Sequence, residues 1–188
     1  MPNTTHPLGP VDYAVLGLLR IAPRHGYELV GEFEPTAELG DALRVDLSNL
    51  YATLKRLERR GLILGAVERA GTRPPRHVYH LTPGGEAEFE RWLVEPVRHN
   101  RDIRLDFVLK LFFSLRLYPE RIDDLLTRQL AAVLDQLQRI QLELNHLPPG
   151  SFRWTLRQMR RSALQATLTW LELVRDTEPG ERSGTVDR

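Results

Sequence analysis

Residues 46–61, DLSNLYATLKRLERRG, restrict the fold more tightly than any other stretch of the chain. Wound at about 100° per residue, they put Leu47, Leu50, Leu54 and Leu57 on one side and Ser48, Ala52, Lys55, Arg56 and Arg59 on the other. Asp46 or Ser48 can accept a hydrogen bond from the open amides of the first turn, and Gly61 can take the left-handed conformation that stops a helix. Small polar residues come early and long cations later, so the helix start can approach an anionic groove closely. A solvated surface helix has the same pattern, and the flanking sequence decides between the two.

From Pro10, VDYAVLGLLRI predicts a buried first helix ended by Pro23. A second is expected from His25 or Gly26, carrying Tyr27, Val30 and Phe33 inward and limited by Pro35. TAELGDALRV reads as a helical turn followed by a short extended piece. After Gly61, LILGAVE and HVYHL predict two strands joined by RAGTRPPR, whose prolines belong at the hairpin tip. Three helices and a basic-tipped hairpin are the order of a winged helix-turn-helix. Thr82 and Pro83 then open a helix that runs to Pro96.

The second half predicts only helices. DIRLDFVLKLFFSLRL is apolar around its whole circumference and must be enclosed. In the next helix Leu126, Leu130, Val133, Leu137, Ile140 and Leu144 follow a seven-residue repeat. Beyond HLPPGS, Phe152, Leu156, Met159, Ala163, Ala166 and Trp170 repeat that spacing, which predicts an antiparallel pair. Extra apolar positions at Leu125, Leu134 and Leu142 ask for a second subunit. The expected fold class is mainly α with a small β-hairpin: a lead-in over 1–9, a winged helix-turn-helix with its linking helix over 10–96, a helical dimerisation domain over 97–176, and a frayed tail over 177–188.

A hydrophobic share of 41% suffices for a proper core. No apolar run reaches the roughly 18 residues of a membrane span, and the first residues lack a secretory pattern, so a cytoplasmic location is expected. The formal charge of +1 conceals a division. Residues 12–45 carry three arginines against six acids, net −3, whereas residues 46–82 carry seven cations against three acids, net +4. Only Lys55 and Lys110 are lysines, so the basic chemistry is that of arginine, suited to bidentate contact with phosphate or a guanine edge.

Three pieces in register, HGYEL at 25–29, SNLYATLKRLERRGLI at 48–63 and RPPRHVYHLTPGG at 73–85, resemble the PadR family of transcriptional regulators. DFVLKLFFSL resembles more loosely the helix opening the long dimerisation region of the larger PadR subfamily. The resemblance implies a homodimeric, usually repressing, DNA-binding protein released by a small ligand or another signal. It also marks Tyr51 as the family's recurrent tyrosine, its ring packed inward and its hydroxyl reaching a backbone phosphate.

The residues themselves suggest matching roles. Ser48 and Asn49 are short enough to meet base edges or phosphates, although Ser48 serves equally well as a cap. Lys55, Arg56 and Arg59 suit phosphates further along, and Arg73 and Arg76 flank the hairpin tip, where they can enter a minor groove. The partners expected are double-stranded DNA with a roughly palindromic operator, a second copy of the chain, and a small aromatic or apolar effector, for which Trp92 is the candidate pocket wall. Trp154 and Trp170 are further aromatic candidates, with core packing expected for Trp170. No catalytic residue, metal site or cofactor is expected, because the six histidines are scattered and no phosphate loop, nucleophile elbow or paired carboxylates stand out. The alternatives are a helical adaptor that binds protein through its winged helix, and a small-molecule-binding or catalytic helical dimer.

Overall fold

The computed structural model describes residues 7–68 and 76–177. The hairpin tip with Arg73, residues 1–6 of the expected lead-in and residues 178–188 of the expected tail lie outside the described residues. The chain forms two compact units. Residues up to Glu95, together with Arg104–Pro119, make the first, and Pro96–Ile103 with the chain from Glu120 onward make the second. The sequence reading places 104–119 with the dimerisation domain, whereas the chain returns that helix to the first unit.

The first unit is built around α1 (Pro10–Ile21), whose Ala14, Val15, Leu16, Leu18 and Leu19 are all buried. Pro10 in the first turn and a Gly9 amide held by Asp12 start this helix. The next elements are β1 (Arg24–His25), α2 (Gly26–Glu32), α3 (Glu38–Ala42) and α4 (Leu47–Arg59). Then come β2 (Ile63–Glu68), β3 (Arg76–Leu81) and α5 (Pro83–Val94). The three helices of a winged helix, α1, α2 and α4, and its hairpin are thus present, with α3 as the expected helical turn. The hairpin gains a third strand that the sequence reading lacks: the sheet order is β1-β3-β2, all antiparallel, with Arg24 opposite Tyr79 and Ile63 opposite Leu81. Two residues are too few to show any alternation, and β1 exists only because β3 offers it an edge.

Two inward assignments also change. Tyr27 is 56% exposed, because α2 turns Leu29 to the core instead, while Phe33 just after the helix is buried as expected. Leu47 is likewise 56% exposed, since it occupies the first position of α4, and Thr53 is buried in its stead. The turn after α4 packs closely against the start of α5. A Cβ on Gly85 would lie 2.0 Å from the Leu62 carbonyl oxygen. The Thr82 hydroxyl donates toward the Gly61 carbonyl at 2.7 Å and accepts the Gly85 amide at 3.1 Å.

The all-round apolar segment becomes α6 (Asn100–Asp102), a π-helical turn (Ile103–Phe107) and α7 (Val108–Leu117). Within the first unit Leu109 and Phe113 are fully enclosed, and the Phe113 ring lies against α1 at Gly17, where a Cβ would come within 2.5 Å of it.

The second unit holds α8 (Ile122–Asn145) and α9 (Phe152–Thr177), packed as a helical hairpin across a turn in which Gly150 has φ +82. Leu126, Leu130, Val133 and Leu144 of the α8 repeat are buried, as is Leu125, while Leu134 and Leu142 stay exposed. The α9 repeat is rotated from expectation. Phe152 is 82% and Met159 63% exposed, and the buried positions are Leu164 and Leu171. Arg157 and Arg161 take the inward line ahead of them, pairing with Glu143 and, at 2.9 Å, with Gln141 of α8. Their aliphatic stems cover surface that an apolar count misses. Buried Gln129 fastens the entering segment, accepting the Val97 amide at 2.8 Å and donating to the Val97 carbonyl at 3.0 Å.

Candidate nucleic-acid interface

Helix α4 is capped at both ends by residues within its own stretch. The Asp46 carboxylate accepts the Asn49 amide at 2.8 Å, and Gly61 turns the chain with φ +69. Between these ends Leu50, Thr53, Leu54 and Leu57 face the core. The opposite line is Ser48, Ala52, Lys55 and Arg59, all exposed. Arg59 Nε donates to the Lys55 carbonyl at 3.3 Å, which sets the stem of Arg59 along the helix.

The two flanks of this line are occupied differently. On one side Tyr51, 40% exposed, lays its ring against the start of α2, where a Cβ on Gly26 would lie 3.3 Å from its Cε1 and hydroxyl oxygen. The Glu58 carboxylate accepts the Gly65 amide of β2 at 3.0 Å. Burial, with Glu58 and Tyr51 nearby, raises the pKa of the Tyr79 phenol. On the other flank Asn49 is exposed, but Arg56 turns inward. Its Nε and Nη2 donate to Asp12 Oδ1 at 3.0 and 2.7 Å, and Nη2 also reaches the Thr53 hydroxyl at 3.0 Å. Arg56 is therefore placed otherwise than the sequence suggests: it closes a charge pair between α1 and α4, and the cations left on the outer line are Lys55 and Arg59. Asp12, its partner, escaped notice because it lies 44 residues away and looks like an ordinary first-turn acid.

On the hairpin, β3 places Arg76 opposite Glu68 at the end farthest from α5. His25 lies on β1, where its ring Nδ1 is 3.3 Å from the His77 carbonyl and the ring stacks on Tyr27 at 5.3 Å.

Trp92 is 8% exposed and faces its own unit. Its ring stacks on Tyr13 with centroids 4.5 Å apart and planes 7° from parallel, and Lys110 Nζ sits 5.1 Å from its centroid. That buried ammonium donates to the Glu95 carbonyl, and burial pushes its pKa down to about 8 although Asp106 and Glu95 act the other way. Among the described residues no cluster of His, Asp or Glu could hold a metal ion, and no helix is long and apolar enough to cross a membrane.

Residues 15–91 match the model of the Transcriptional regulator PadR-like family. The chain is similar to the Negative transcriptional regulator PadR of Bacillus subtilis strain 168, 32% identical over 142 residues, covering 76% of this chain and 72% of that one. Two solved structures of the Bacillus subtilis PadR protein also align. The one in complex with operator DNA is 27% identical, with a TM-score of 0.47 over 89% of this chain and 97% of the other. The one in complex with p-coumaric acid is 26% identical, with a TM-score of 0.39 over 88% and 93%.

Proposed function

Because the chain belongs to the PadR-like family of transcriptional regulators, we propose that it represses transcription in the cytoplasm by binding operator DNA through the outer line of α4. One observation carries the reading: a helix capped at both ends exposes small residues first and cations later, beside a hairpin that bears Arg76. Ser48 and Asn49 then meet base edges or phosphates at the groove floor, and Lys55 and Arg59 neutralise phosphates further along. Tyr51 directs its hydroxyl to the backbone, and Arg73 and Arg76 grip the flanking groove. Arg56 holds α4 to α1. The work of such a surface is binding, not catalysis.

Exposed Leu134, Leu142, Phe152 and Met159 support self-association through α8 and α9. A symmetric pair reads a roughly palindromic site with half-site centres about 34–36 Å apart. An effector, small and aromatic or apolar, that favours the DNA-free form shifts the population and releases the operator.

Sequencing the DNA that co-purifies with the protein, then measuring its affinity across a salt series, tests this reading. A recurrent palindrome with steeply salt-dependent affinity is the expected result, because phosphate contacts release counterions. Salt-insensitive binding, or no recurrent sequence, overturns it.

A further inference from the structure

The outer line of α4 contains a shallow open depression lined by Ala52, Lys55, Glu58 and Arg59. Ala52 stands at the middle of the exposed line, one turn from Ser48 on one side and from Lys55 on the other. Its methyl group and the carbon stems of Lys55 and Arg59 are the apolar part of the lining. Glu58 borders it with a carboxylate whose Oε1 is already held by the Gly65 amide.

These features select what fits. A phosphate would gain from Lys55 and Arg59 but would face the Glu58 carboxylate over an apolar floor. The two cations serve better reaching outward to phosphates, which draws the helix face onto polyanionic DNA and leaves Ala52, one turn before Lys55, opposite a base edge. The apolar group that a base presents in the major groove is the C5-methyl of thymine, and alanine is a side chain that contacts it. We infer that Ala52 is a specificity-determining residue, whose depression receives the methyl group of one thymine in each operator half-site. This rests on the DNA-binding reading above and adds to it a particular base.

The test uses the full-length protein and a duplex recovered by it from a random-sequence pool. Replacing thymine by uracil removes the methyl group and nothing else. Uracil is introduced at one thymine position at a time, symmetrically in both half-sites, and affinity is read by fluorescence anisotropy. The inference expects one symmetric position at which the loss of two methyl contacts weakens the natural protein about tenfold. Ala52→Gly and Ala52→Gln, an emptied and a filled depression at an exposed position, are expected to bind the thymine and uracil duplexes equally. Salt-sensitive binding with no thymine position dependent on its methyl group overturns this inference alone, as does an unchanged thymine preference in both variants. Absence of salt-sensitive duplex binding by the natural protein overturns the DNA-binding reading and this inference together.

Discussion

The Asp12 carboxylate, 3% exposed, receives three N–H groups, one from Gly9 and two from Arg56. Removing Arg56 leaves a buried charge without its counter-ion, whereas removing Arg59 leaves the interior untouched. Arg56→Ala is therefore expected to lower unfolding stability by about 2 kcal/mol, the figure being tempered by the partial exposure of the guanidinium. Arg59→Ala is expected to stay within about 0.5 kcal/mol while reducing the slope of log affinity against log salt on the palindrome by about two, one for each copy. Urea denaturation and DNA titration of the two variants separate these roles; equal stability would refute the pairing. Lys110 makes a second prediction through pH. Its pKa in the folded protein is lowered to about 8 by burial, while the unfolded chain keeps the ordinary lysine value near 10.4. Between those values the unfolded state binds more protons, so stability rises with pH across that interval. From pH 7.5 to 9.5 the gain is about 1–2 kcal/mol. Above pH 10 the Tyr13 and Tyr118 phenols, whose pKa values are raised mainly by burial, work in the opposite sense. Urea midpoints of the natural protein should climb through the lower window, and Lys110→Met should flatten the climb. An unchanged slope in that variant would assign the effect elsewhere.

At the scale of elements, α9 gives the most direct test of which side faces α8. Leu164→Ala empties a position 2% exposed and is expected to cost about 2–4 kcal/mol in chemical denaturation. Gln165→Ala, the next residue and exposed, is expected to change stability by less than about 0.5 kcal/mol. A negligible cost for Leu164→Ala would restore the orientation that the apolar spacing alone suggests. That spacing misleads for a physical reason. The inward line of α9 runs through Arg157 and Arg161, which bury carbon stems while their charged ends reach Glu143 and Gln141. A pattern of apolar letters cannot register half an arginine. Elements with local terminators were legible by contrast: Pro10 for α1, Asp46 and Gly61 for α4, and Thr82 with Pro83 for α5. Strand β1 was not, because both its residues owe their conformation to β3, more than 50 positions away. The outer line of α4 was legible in Ser48, Lys55 and Arg59, which are exposed as the helical period predicts. Arg56 was not, since its direction is decided by a carboxylate on another helix.

For the whole molecule, symmetry sets the scale of the expected affinity. One copy of α4 offers two outer cations, Lys55 and Arg59, and that is a small electrostatic grip by itself. In the proposed dimer, two copies joined through their helical regions would present a second grip at high effective concentration, so that avidity rather than additional contact within a half-site would carry specific binding. Disrupting self-association should thus weaken DNA binding without altering any residue that touches DNA. Met159→Glu places a charge in the middle of the exposed apolar positions of α9, where it is tolerated in a single chain because Met159 is already 63% exposed, but is costly if a second copy covers it. The expected outcome is dissociation to monomer at micromolar concentration in analytical ultracentrifugation, with unchanged helical content by circular dichroism. On the full palindrome the variant should bind no better than the natural protein binds an isolated half-site, and its salt slope should fall to about half, because half as many phosphates are neutralised at once. A variant that remains dimeric would place the subunit contact away from this face of α9. A variant that is monomeric yet keeps full affinity for the palindrome would show that each copy binds DNA independently of the other.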